Sequence, residues 1–256
     1  LRKPVISRTP NESIFHCCVQ KTGSQWIRRI LEDRQLYRYH GLKPVAYRER
    51  PKSIPEASVP PVHRGKVHLH YYIDFPTYLR MPKPERYKTF YIFRDPRDIV
   101  VSWYFSVRNT HSASPGILRH RKVLRSLGRV EGMEYTILEL QRYGLFAAMD
   151  SWAHADRHRR DVLLCRFEDL IADSATNLSA IFRHCEIEVP PHVLQQVIQR
   201  HSFASLTGGR RRGAEDLRSH LRKGVAGDWR NHFNPKLASI FELCAGDLTF
   251  LLGYGS

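Results

Sequence analysis

The chain has 256 residues, 42% hydrophobic and 11% aromatic, with 41 Lys and Arg against 25 Asp and Glu, a formal charge of +16. That length and apolar content describe a globular domain with a substantial core, and no apolar run approaches the ~20 residues of a membrane span. The charge points to an anionic partner, and five cysteines in mostly apolar settings read as free thiols of a reducing compartment rather than a disulfide framework.

Residues Leu1 to Ser13 are polar and read as irregular. Phe15-His16-Cys17-Cys18-Val19 is β-prone and leads into Lys21-Thr22-Gly23-Ser24, after which Trp26-Ile27-Arg28-Arg29-Ile30-Leu31 continues with helical spacing, ending near Leu36. The pattern predicts strand, tight loop and helix. In it Gly23 permits the bend, Ser24 caps the helix, and Lys21 adds a mobile charge where a helix N-terminus already favours anions. The loop suits a phosphate or sulfate cradle. It equally suits a purely structural turn, and no Gly-x-x-x-x-Gly-Lys-Ser/Thr phosphate loop is present.

Gly41 to Arg64, rich in Pro, Arg and Glu, is predicted to be a long surface loop. Lys66 to His70 reads as a short strand, Tyr71 to Phe75 as the opening of a short helix, and Thr89 to Phe93 as a buried parallel strand. Arg94-Asp95-Pro96-Arg97-Asp98 ends that strand, and Ile99 to Phe105 continues as helix, with Pro96 in its first turn. Asn109 to Val130 is basic and broken by Ser, Pro and Gly, and reads as an insertion or mobile lid. Helical pattern returns over Glu134–Leu140 and Leu145–His158, a strand over Val162–Arg166, and helices near Asn177–His184, His192–Arg200 and Pro235–Leu252. Strands alternating with helices predict an α/β fold, one domain over 1–256, with a mainly parallel central sheet flanked by helices. Ligands of such sheets sit beyond the carboxyl ends of strands, so Lys21, Arg94 and the segment after Arg166 should converge. No Cys/His spacing resembles a metal site.

Three stretches, in order, give this pattern a meaning. Lys21-Thr22-Gly23-Ser24-Gln25-Trp26 resembles the 5′-phosphosulfate loop of PAPS-dependent sulfotransferases, usually Pro-Lys-Ser-Gly-Thr-Thr-Trp. Arg94 to Tyr104 is similar to their 3′-phosphate motif, and Arg222-Lys223-Gly224-Val225-Ala226-Gly227-Asp228-Trp229 to their Arg-Lys-Gly-x-x-Gly-Asp-Trp segment. The likeness is to the cytosolic-type branch and spans roughly Phe15 to Phe233. It implies transfer of a sulfuryl group from PAPS to an acceptor hydroxyl or amine, with release of PAP, in the cytoplasm and with neither metal nor nucleic acid required. The acceptor's identity is open.

By this resemblance Lys21 neutralises the bridging oxygen, while Thr22, Gly23, Ser24 and Gln25 bind the 5′-phosphate. Arg94, Ser102, Arg222, Lys223 and Gly224 hold the 3′-phosphate. Trp26 stacks on adenine, Phe167 and Phe203 flank it, and Ser202 lies near its exocyclic amine. Lys66-Val67-His68 stands where the family carries Lys-Thr-His, making His68 the expected general base; strand alternation puts His70 on the same face as a rival. Gln20 replaces the usual Pro, Gln25 the second Thr, Phe167 a Tyr and His201 a Thr, and the family's C-terminal dimer segment is not evident. Arg94 also has an available carboxylate at Asp98. Tyr71, Tyr72, Phe75, Trp103, Tyr104 and Phe105 are candidates to line the acceptor pocket, or ordinary core. The alternatives are a nucleotide or sugar kinase-like P-loop enzyme, which lacks convincing magnesium ligands here, and a polyanion-binding module suggested by the charge and by Arg210-Arg211-Arg212.

Overall fold

The computed structural model describes residues 5–47, 58–155 and 159–255. Strand β1 (Ser13–Cys18) is buried at every position, because apolar layers cover both faces of its sheet. The other strands are β2 (Lys43–Ala46), β3 (Lys66–Tyr72), β4 (Tyr87–Phe93) and β5 (Val162–Arg166). They form one parallel sheet in the order β2-β3-β1-β4-β5. The strands following β1 go first to one side of it and then to the other. The carboxyl end of β1 is therefore the topological switch point, where open α/β sheets bind ligands.

Helices α1 (Ser24–Leu31), α2 (Arg34–His40), α3 (Phe75–Arg80), α4 (Pro96–Phe105), α5 (Pro115–Ser126), α6 (Arg129–Arg142) and α7 (Leu145–Ala153) precede β5. After it come α8 (Phe167–Ala172), α9 (Ser174–His184), α10 (Pro191–Arg200), α11 (Phe203–Leu206), α12 (Pro235–Ala245) and α13 (Leu248–Leu251). One core gathers Phe15, Cys17, Tyr91 and Trp152 with residues of α4, α6, α7 and α12. The other gathers Ile14, Ile92, Ile27, Leu170 and Phe182, from the opposite sheet face and the helices α1, α8 and α9. Alternating residues of β1 thus serve two layers.

Several sequence expectations change. Tyr71 and Tyr72 extend β3 instead of opening a helix, and α3 starts only at Phe75, where Asp74 caps it by accepting from the Thr77 N–H at 2.8 Å. The stretch expected as a loop after Gly41 begins with β2; its residues 48–57 lie outside the described residues, as do 1–4 and 156–158. The expected lid over Asn109 to Val130 is mostly helix: α5 and the start of α6. Arginines fasten it down. Arg121 donates to the carbonyls of Val107 (2.8 Å) and His111 (2.5 Å), and Arg108 to that of Leu124. Between α4 and α5 the chain makes a π turn over Ser106–Thr110, a form that recurs at functional sites.

Candidate active site

Strand β1 hands the chain to a loop in which Lys21 (φ 69°) and Gly23 (φ 79°) both take left-handed backbone. At Gly23 there is a second constraint: a Cβ there would lie 2.5 Å from the Phe167 ring. Glycine therefore allows both the bend and the approach of α8. The Ser24 cap expected from sequence does not form. Gly23 is the N-cap residue without a side-chain bond, and Ser24 is the first helical residue, its Oγ 2.9 Å from the Tyr72 hydroxyl. Thr22 is also turned inward, donating its hydroxyl to the Val19 carbonyl at 2.8 Å. Gln25 is exposed at the helix start. What the loop offers an anion is backbone N–H groups, the helix end and the Lys21 ammonium.

Lys21 is half-buried, and loss of hydration together with the Arg94 and Arg222 cations pushes its pKa down to about 7. Three cations from three distant segments thus meet at one place. Arg94 donates from Nη1 to the Lys21 carbonyl and from Nη2 to the Val225 carbonyl, each at 3.2 Å. It also pairs with Asp98 at 3.3 Å and lies over the Phe167 ring at 4.8 Å. The carboxylate partner open to it in the sequence is therefore used, although the Arg94 Nε has no partner among the described residues. Asp98 does more: it accepts from the N–H groups of Gly227 (2.7 Å) and Trp229 (2.9 Å), which latches the C-terminal motif onto α4.

Within that motif Asp228 binds Arg222, Lys223 (2.5 Å), Asn231 (2.9 Å) and His232 (3.3 Å). Although burial opposes its charge, those donors hold its carboxyl well below the usual carboxylate range. Arg222 also pairs with Glu215 and lies over the Phe105 ring at 4.3 Å. Ser102, half-buried on α4, is one turn before Phe105 and so shares its side of the helix. Gly224 (φ 70°) sits where a Cβ would meet the Phe203 ring at 2.5 Å. The Arg210 guanidinium covers that ring at 5.0 Å, donates to the Ala214 carbonyl at 2.8 Å and also reaches those of Leu221 and Arg222, while Arg212 donates to Gly224 at 3.0 Å. Trp26 donates its indole N–H to the His201 carbonyl at 2.9 Å, joining α1 to the turn where Ser202 caps α11. Phe167, Phe203, Ser202 and Trp26 are thereby drawn to the same end of the sheet as the cations.

His68 is not part of this assembly. It pairs with Phe15, whereas the strand end, Tyr72, pairs with Cys18, so His68 lies three β1 residues, ~10 Å, back from the end of the strand. It is fully buried, with Nδ1 2.6 Å from the Tyr71 hydroxyl and Nε2 3.1 Å from the His63 carbonyl. Burial pushes its pKa down to about 4. His70 is not on the same face either. A bulge between Phe15 and Cys17 inserts one residue in β3, with His70 at φ 44°. As a result Tyr71 joins His68 against Phe15, at 6.2 and 4.7 Å, while His70 faces Tyr72 at 5.5 Å. Alternation fails at a bulge. The histidine that does lie within electrostatic reach of Lys21 is His220, which also feels His111; desolvation and these neighbours push its pKa down to about 4.

The residues that sequence reading passed over are Asp228, Glu215, Tyr143 and His220. Asp228 stood inside the recognised motif without a role, and Asp98 only as a partner for Arg94; nothing in a sequence announces that a carboxylate will hold backbone N–H groups of a remote segment. Among the described residues no three His, Cys, Asp or Glu side chains gather as a metal site, and no helix is long and apolar enough to cross a membrane.

Comparison with known proteins agrees with this arrangement. A family model described as sulfotransferase domain matches residues 11–246. Human sulfotransferase 2A1 is 26% identical over 164 residues, covering 60% of this chain and 54% of the relative. The 3-alpha-hydroxysteroid sulfotransferase of Cavia porcellus is 27% identical over 166 residues, covering 60% and 53%. The chain thus spans about half the length of these curated relatives. Among solved structures, mouse sulfotransferase SULT7A1 complexed with PAP has a TM-score of 0.63 at 17% identity, covering 98% of this chain and 92% of that one, a likeness of fold.

Proposed function

This chain belongs to the sulfotransferase domain family, and from that premise we propose that it transfers a sulfuryl group from PAPS to an acceptor hydroxyl or amine and releases PAP. The observation that carries the reading is the meeting of Lys21, Arg94 and Arg222 at the switch point of the sheet. A lysine pushed toward neutrality by burial and by two neighbouring guanidiniums calls for an anion, and a donor with phosphates at both ends of an adenosine supplies two. In the reaction the acceptor oxygen forms a bond to sulfur while the bond from sulfur to the 5′-phosphate oxygen breaks. Lys21 meets the charge growing on that leaving oxygen, as preorganised cations do in phosphoryl transfer.

The backbone of Thr22 to Gln25 at the start of α1 would hold the 5′-phosphate. Arg94, Ser102, Arg222, Lys223 and Gly224 would hold the 3′-phosphate, with Trp26, Phe167, Ser202 and Phe203 around the base. Proton acceptance falls to a histidine at this end of the sheet, either His220, which feels Lys21, or His70, whose ring lies 5.5 Å from that of Tyr72, the partner of Ser24, and whose Nδ1 has no partner among the described residues. A cytoplasmic setting fits the five cysteines, all free thiols.

Thermal unfolding with PAP and with AMP tests the reading. A ligand bound only by the folded chain stabilises by about 2.7 kcal/mol at a hundred times its Kd. PAP is expected to raise the Tm well beyond AMP at equal concentration. Equal shifts would remove the 3′-phosphate assignment, and no shift from PAP would remove the transferase reading.

A further inference from the structure

Residues 99–130 contain Arg108, Arg119, Arg121, Lys122, Arg125 and Arg129 and not one Asp or Glu. The fold spends two of these cations on itself, since Arg108 and Arg121 hold carbonyls between the π turn and α5. The side chains of Arg119, Lys122, Arg125 and Arg129 are exposed, with no hydrogen bond or ion pair among the described residues. Carboxylates of the adjacent α6 are taken elsewhere. Glu134 pairs with Lys236 at 2.7 Å, Glu131 also acts on Lys236, and Glu139 pairs with Arg142 at 2.7 Å.

Helical spacing puts Arg119, Lys122 and Arg125 on one flank of α5. The opposite side faces the core through buried Leu124 and through Ile117. Two apolar side chains stand in water on the cationic flank: Leu118, one turn before Lys122, is 50% exposed, and Val123, one turn after Arg119, is 36% exposed. Arg129 follows as the first residue of α6, where a helix N-terminus disfavours a cation. Like charges along one helix repel, so this flank lowers the stability of the free chain, and an anionic partner would relieve it.

We infer that this flank of α5, together with Arg129, docks on an anionic lipid surface, lying on the bilayer without spanning it. The choice of a membrane over a nucleic acid or an acidic glycan rests on Leu118 and Val123. A polyanion leaves such side chains in water, whereas a bilayer takes them into the boundary between headgroups and acyl chains. Clusters of about four cations are what anionic headgroups hold, each charge contributing about fivefold in partitioning. Because the inner face of α5 is already packed, the flank is presented without a folding step. The inference stands apart from the transferase reading.

The test is co-sedimentation with phosphatidylcholine vesicles, with and without about 30% phosphatidylserine, in about 0.1 M salt. The protein should partition onto the anionic vesicles at least about tenfold more strongly than onto the neutral ones. Arg119→Gln, Lys122→Gln and Arg125→Gln together should lower that partitioning by about a hundredfold, three steps of about fivefold. Arg29→Gln, Arg34→Gln and Arg183→Gln together remove the same charge from exposed positions on helices across the sheet, and should change it by less than about fivefold. Leu118→Gln with Val123→Gln keeps every charge; it should weaken vesicle binding by about tenfold and leave binding of a short duplex DNA unchanged. All these side chains are exposed, so each variant should keep the wild-type Tm. Equal binding to neutral and anionic vesicles overturns the inference. So does a control triple that loses as much as the α5 triple, which places the attraction in the net charge. If the apolar pair has no effect on vesicles, the flank recognises polyanions in place of lipid, and the inference falls on that result too.

Discussion

At the scale of single residues, the lowered pKa of Lys21 has a measurable sign. PAP favours the charged ammonium, so binding should draw a proton onto Lys21 above pH 7, and affinity should fall as pH rises past about 7. Calorimetry in two buffers of different ionisation enthalpy should show that uptake at pH 8, and Lys21→Met should abolish it. If His220 accepts the proton, kcat/KM should be lost below about pH 4, where the imidazole is charged, and again above about pH 7, where Lys21 is neutral. His220→Gln should lower kcat by about 10²–10⁴-fold and leave the PAP Kd in place. His68→Ala should instead remove about 2–4 kcal/mol of stability, as loss of a buried ring does, with PAP affinity kept at temperatures where the protein stays folded. A collapse of kcat in stable His68→Gln would return the base to His68.

Elements act here through carboxylates that hold neighbouring segments. Asp98 on α4 receives Arg94 and two N–H groups of the 227–229 turn. Asp98→Ala leaves a buried guanidinium without its counter-ion and should cost about 3–5 kcal/mol in urea unfolding. It should weaken PAP more than AMP, because the turn it frees adjoins Arg222. Glu215 is different: it is partly exposed and pairs with Arg222 from the loop ahead of it. A 3′-phosphate would compete with that carboxylate. Glu215→Gln should therefore tighten PAP by roughly twofold to fivefold, the range of a partly exposed ion pair, and leave AMP unchanged. Equal tightening of both ligands would show that Glu215 acts only through the overall field.

Over the whole molecule, the charge of +16 is an anion-attracting field centred on no single contact. Stopped-flow association of PAP should slow steeply as salt rises from about 0.05 to 0.5 M, because screening shortens the Debye length from about 14 to about 4 Å. Dissociation should change far less, since the contacts with Arg94 and Arg222 are close-range. Equal salt effects on both rates would place the steering in the site alone. The parallel sheet with β1 at its centre lets such a field serve one locus: the carboxyl ends of β1 and β4 open side by side, and α4 carries the C-terminal motif to them.

The sequence by itself determined the class of fold and which segments meet. The apolar run Thr89–Phe93 is the buried strand it reads as, whereas Val162–Arg166 is a strand but only half-buried, because it lies at the sheet edge. Pro96 starts its helix, and parallel strands bring Lys21 and Arg94 to one end. It also held the family motifs, since those residue types at that spacing serve phosphate chemistry. Only the tertiary structure decided the rest. The bulge in β3 sends His68 and His70 to different faces, and a pairing register between distant strands is not written in either strand alone. The burial of the Thr22 hydroxyl, the bond of Ser24 to Tyr72 and the latch at Asp98 likewise depend on residues dozens of positions away or on how a loop turns. Long-range contacts fix which polar atoms are satisfied and which, like the buried Gln20 Oε1, have no partner among the described residues. That division follows from physics: backbone preference and apolar periodicity act locally, whereas burial and hydrogen-bond satisfaction are properties of the packed chain.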